Sequence, residues 1–72
     1  METTVHLTTD TVPLAAVLKL AGVVESGGHA KQLIQAGLVH VNGSQETRRG
    51  KRLRAGDIVE IEGDQPVRID VA

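Results

Sequence analysis

Between residues 48 and 54 the chain reads Arg-Arg-Gly-Lys-Arg-Leu-Arg, five cations in seven positions. Four of the five are arginine, whose planar fork donates two parallel hydrogen bonds to a phosphate or carboxylate, so the chemistry suited to Arg48, Arg49, Lys51, Arg52 and Arg54 is neutralisation of closely spaced phosphates. A solvated loop is the usual fate of a charge run, but solubility is served by mixed signs, and this run has one sign. A second candidate lies upstream in Ser26-Gly27-Gly28-His29. Ser26 can cap a helix whose first turn then carries two glycines, which either let the first helix approach closely or leave the N–H groups at its positive end open to an anion. His29 can donate beside them. Lys31, Gln32 and Gln35 fall on the outward side of the same helix.

Other chemistries find no residues to carry them. There is no cysteine, and Ser26 with His29 at i, i+3 lacks an orienting acid, which argues against a nucleophilic triad. His6, His29 and His40 have no metal-ligand spacing, and Gly-Gly-His-Ala-Lys has neither the length nor the ending of a phosphate loop. Glu60 and Glu62 alternate along a strand, where two carboxylates are expected to face solvent. No enzyme, cofactor or metal site is expected. Phe, Trp and Tyr are absent, which removes the platforms on which single-strand binders stack bases and leaves charge and shape.

The net charge of −1 conceals a strong asymmetry. Residues 1–10 balance at −2, residues 11–56 at +5 and residues 57–72 at −4, the sign pattern of a protein with an anionic partner. At 72 residues the chain is a single domain with a small aliphatic core. No apolar run is long enough to span a bilayer and the first ten residues lack a signal-peptide pattern, so a cytoplasmic protein is expected.

The elements that must position these residues can be placed from pattern. Val5 and Leu7 alternate in a strand over residues 4–8. Asp10 and Thr11 offer capping side chains, Pro13 suits a first helical turn, and Leu14, Val17, Leu18 and Ala21 form one helical stripe that Gly22 ends. A short connection leads to a second helix over about residues 27–36, with Ala30, Leu33 and Ile34 inward and Gly37 terminating it. Asn42-Gly43 marks a hairpin between Val39–Val41 and Ser-Gln-Glu-Thr. Leu53 anchors the basic run, and strands follow at 57–62 and 67–71. The order is β, α, α and then four short strands, an α+β fold.

With these residues in view, Ser-Gly-Gly-His-Ala-Lys-Gln-Leu-Ile-Gln-Ala-Gly-Leu-Val-His-Val-Asn-Gly followed by Glu-Thr-Arg-Arg-Gly-Lys-Arg-Leu-Arg-Ala-Gly-Asp resembles the S-four RNA-binding domain, the module of small-subunit ribosomal protein four, over about residues 11–63. The likeness is strongest to its small free-standing bacterial form. It implies an αL motif, two antiparallel helices packed on a small, mostly antiparallel sheet, with folded RNA (ribosomal, transfer or other) lying across the second helix and the basic loop. Carried over by resemblance, Lys19, Lys31, Asn42, Arg48, Arg49, Lys51, Arg52 and Arg54 contact the sugar-phosphate backbone. Many members place arginine after the serine that starts the second helix and Arg-Leu-Asp at the start of the first. Here those places hold Gly27 and Thr-Val-Pro-Leu, so two of the family's contacts are missing. A monomer that binds RNA without membrane or small-molecule substrate is expected.

Two rivals stand beside this reading. Helices joined by a short turn also suit duplex DNA, although a third helix and a dimer surface are lacking. Alternatively the acidic C-terminal strands are the working surface of a protein-interaction module.

Overall fold

Val67, Ile69 and Val71 alternate with Arg68 and Asp70, and this two-residue period builds the longest strand of the sheet. The computed structural model describes all of residues 1–72. Its elements are β1 (Glu2–Val5), β2 (Val12–Pro13), α1 (Leu14–Leu20), α2 (Gly27–Gln35), β3 (Val39–Val41), β4 (Ser44–Gln45), β5 (Arg52–Leu53), β6 (Ile58–Ile61) and β7 (Val67–Val71). Five strands form one sheet in the order β1-β7-β6-β3-β4, and β2 pairs with β5 apart from it. All pairings are antiparallel except β1 with β7. The result is the expected α+β arrangement of two helices and a mostly antiparallel sheet.

Register decides the two faces of the sheet. Val41 opposes Val59, Val59 opposes Ile69, and Val71 opposes Val5, so these residues share the buried face. One residue away, Glu2, Arg68, Glu60, His40 and Gln45 form a cross-strand row on the outer face. Leu14, Val17 and Leu18 of α1 and Ala30 and Ile34 of α2 join the same core, which contains no polar side chain. Aliphatic residues alone therefore close it, as an aromatic-free sequence requires.

Both helices end alike. Gly22 and Gly37 adopt φ of +75° and +81°, and in each case the next two N–H groups turn back to carbonyls of the last turn: Gly22 to Lys19, Val23 to Leu18, Gly37 to Ile34 and Leu38 to Leu33. These paired bonds satisfy carbonyls that a helix end leaves free.

Three expectations change. The first strand begins at Glu2 rather than residue 4, with Leu7 following it and donating to the carbonyl of Ala72. Asp10 and Thr11 do not cap α1: the N-cap is Pro13 in extended geometry, with no side-chain cap bond. Two additional strands, β2 and β5, are each two residues long, below the length at which alternation is visible.

Candidate functional site

The backbone of the basic run is fixed on both flanks. After β4, the Glu46 N–H donates to the carbonyl of Val39 (2.9 Å), and Glu46 Oε2 accepts from the Arg48 N–H (3.1 Å) and Nε–H (3.3 Å). A turn follows in which Lys51 N–H donates to the Arg48 carbonyl (3.2 Å). The carbonyls of Arg49 and Lys51 then accept from Ala15 N–H (3.0 Å) and Leu14 N–H (2.9 Å), the first free donors of α1. Pro13, the N-cap, has no side-chain oxygen to accept from these donors, so the loop carbonyls supply what a capping side chain would otherwise provide.

Leu53, fully buried, anchors the second half, where Arg52 pairs with Pro13 and Leu53 with Val12. Beyond it Asp57 Oδ2 accepts from Arg54 N–H (2.9 Å), and Gly56 takes φ of +100°, closing the Ala-Gly-Asp turn. Asn42, in left-handed geometry at φ of +52°, links this turn to the β3–β4 hairpin. Its Nδ2 donates to Asp57 Oδ1 (3.1 Å) and its Oδ1 accepts from Ile58 N–H (2.9 Å). The residue placed by resemblance on the RNA surface thus has both ends of its amide engaged in holding the loop.

Backbone pinned inward leaves side chains outward. Arg48, Gly50, Lys51, Arg52 and Arg54 line an open groove of about 530 Å³ with no apolar residue. The charged groups of Lys51, Arg52 and Arg54 have no carboxylate within 4.0 Å, whereas that of Arg48 keeps its bond to Glu46. Arg49 is exposed but does not line the groove. Two carboxylates bracket the run, and both titrate below their ordinary values. The hydrogen bond from Arg48 N–H is the main cause for Glu46, and that from Arg54 N–H for Asp57. In each case neighbouring positive charge adds to it.

The second candidate is laid out as its sequence suggests. Ser26 Oγ accepts from His29 N–H (3.2 Å), and Gly27, Gly28, His29, Lys31, Gln32 and Gln35 are all exposed. A Cβ at Gly27 would meet nothing within 4 Å, and at Gly28 only Ser26 Oγ at 3.9 Å. Close helix packing therefore does not explain these glycines, while a bare helix end is compatible with them. Lys19 is exposed in the last turn of α1, at the other end of that helix from the loop.

Away from these residues, Glu2, His40, Glu60, Glu62 and Arg68 border a second open groove on the outer sheet face, where His40 Nε2 pairs with Glu62. No group of three or more His, Cys, Asp or Glu side chains is placed to hold a metal ion, and no helix is long and apolar enough to cross a membrane. Sequence reading missed the roles of Glu46 and Asp57, although both lie within three residues of the arginines they hold.

Comparison with known proteins bears on the family of the chain. A family model described as the S4 domain matches residues 5–70. Over 63 residues the chain is 43% identical to RlbA of Bacillus subtilis (strain 168), named as a probable ribosome maturation protein, covering 88% of this chain and 89% of the relative. Over 52 residues it is 44% identical to YbcJ of Escherichia coli (strain K12), provisionally named as an RNA-binding protein, with 72% and 74% covered.

Proposed function

The chain belongs to the S4 domain family, and from that premise we propose that it binds folded RNA, without catalysing a reaction on it, through the groove of the basic loop together with the outward face of α2. The observation that carries this reading is the groove itself: four cationic side chains on a backbone already tied to α1, β2 and the Ala-Gly-Asp turn. A solvated loop needs no such anchoring. A backbone already fixed has less main-chain freedom to lose when its side chains bind phosphate, which favours function over mere solubility.

Phosphate contacts from Arg48, Lys51, Arg52 and Arg54 would position the RNA, with exposed Arg49 adding charge in the same loop and Lys31, Gln32, Gln35 and His29 offering donors along the exposed face of α2. The open N-terminus of α2 adds a partial positive charge suited to one phosphate. With no aromatic side chain to stack on, the protein would favour folded RNA over flexible single strands. The names of its relatives point toward ribosomal RNA as the first ligand to try.

Competition at a single salt concentration tests this reading. A labelled RNA hairpin should be displaced by unlabelled folded RNA and only weakly by duplex DNA of equal length. Equal displacement by both would replace RNA recognition with general backbone binding.

A further inference from the structure

Glu46 suits the cations around it but not an anionic ligand. It is the only acid between Glu25 and Asp57, it lies beside an anion-binding groove, and its side chain is 14% exposed. A negative charge there opposes an incoming phosphate. Its geometry suggests what it contributes instead.

One carboxylate oxygen takes both the backbone N–H and the Nε–H of Arg48. That double contact ties the guanidinium to its own main chain. Glu46 is in turn held on β3 through the Val39 carbonyl, and Arg48 opens the turn whose carbonyls engage α1. A guanidinium has two edges able to make paired hydrogen bonds, one of them including Nε and one made of the two terminal nitrogens. With Nε–H engaged, the terminal edge remains for a ligand.

Resting on the RNA-binding reading above, we infer that Glu46 is a positioning residue: it holds Arg48 so that its terminal nitrogens meet a backbone phosphate end-on, and its contribution to ordering outweighs its repulsion of the ligand. The effect is one of preorganisation. Arg48 is immobilised during folding, so binding does not have to order it.

The test uses the full chain and a labelled RNA hairpin. Glu46→Ala removes a negative charge from an anion site yet is expected to weaken binding roughly three- to tenfold, the scale of ordering one long side chain at an interface. Glu46→Gln keeps an oxygen for the Arg48 N–H and is expected to bind within about twofold of the wild type. Glu46→Ala added to Arg48→Ala should produce no further loss, because the effect runs through Arg48; a general structural role would weaken both backgrounds equally. Binding by Glu46→Ala as tight as wild type, or tighter, overturns the inference, as does an equal loss in both backgrounds. Should the alanine variant fail to fold, Glu46→Gln decides: tighter binding than wild type makes Glu46 a competitor and overturns the inference, while unchanged binding supports it. Absence of salt-dependent RNA binding by the wild type would instead refute the RNA reading itself, before any variant is compared.

Discussion

Removing Arg52 and Arg54 together takes away two of the four cations that line the groove. Both side chains are exposed and neither has a carboxylate partner within 4.0 Å, so Arg52→Ala/Arg54→Ala should change stability by no more than about 0.5 kcal/mol per site. Their backbone roles survive, since Arg54 contributes to the Asp57 turn through its main-chain N–H. Binding should change much more. If each groove cation neutralises one phosphate of duplex-like RNA, counterion release gives a slope of log K against log salt of about −3.6 for four contacts and about −1.8 for two. Raising salt from about 50 to about 200 mM would then weaken the wild type roughly 150-fold and the double variant only about 12-fold. Fluorescence anisotropy with a labelled RNA hairpin, repeated across that range, measures both slopes. Equal slopes for a wild type and a folded double variant would show that the groove does not hold the phosphates.

Four further outcomes follow from the same geometry. Gly27→Glu should fold normally, because a Cβ there meets nothing within 4 Å, and should weaken RNA binding about two- to fivefold through repulsion at the end of α2; anisotropy beside a thermal melt checks both. Asn42→Ala leaves the Ile58 N–H and one oxygen of Asp57 without their partners, which should cost about 1–3 kcal/mol in urea denaturation. Leu53→Ala opens a cavity beneath the basic run; a loss of about 2–5 kcal/mol, a large part of the stability of a domain of this size, should lower its urea midpoint sharply as followed by circular dichroism. Asp57 and Glu46 have folded pKa values below their ordinary ones, so the stability they contribute is present above the unfolded-state values, near 3.8 and 4.5, and is lost as pH falls through the lower folded ones. Urea midpoints between about pH 6 and pH 2 should therefore fall less steeply for Asp57→Asn than for the wild type.

Local features were the readable ones. Ser26 and Gly37 bracket α2 because a cap needs only its own neighbours, and Asn42-Gly43 turns the hairpin with both residues at positive φ. The alternation of β7 predicts which of its residues are buried for the same reason. Contacts between distant residues were less accessible. The parallel pairing of β1 with β7 joins the two ends of the chain, and β2 and β5 are too short for a period to show. Asp10 and Thr11 looked like caps because capping side chains normally come from nearby, whereas here carbonyls more than thirty residues away take the donors of α1. At the site, the cations and the polar face of α2 were visible as residue types. The bonds that make the basic run a fixed loop were not, since the side-chain oxygens of Glu46, Asp57 and Asn42 accept from main-chain N–H groups.

The central claim is that RNA lies on the basic loop and α2 and leaves the acidic outer sheet face free. Mapping amide chemical shifts by NMR while a folded RNA hairpin is added to the isotope-labelled protein tests it most directly. The account predicts that the largest shifts fall in residues 26–35 and 46–56, while those of 2–5, 58–62 and 67–71 stay near their free positions. Shifts concentrated around Glu2, Glu60, Glu62 and Arg68, with the loop unmoved, would contradict it.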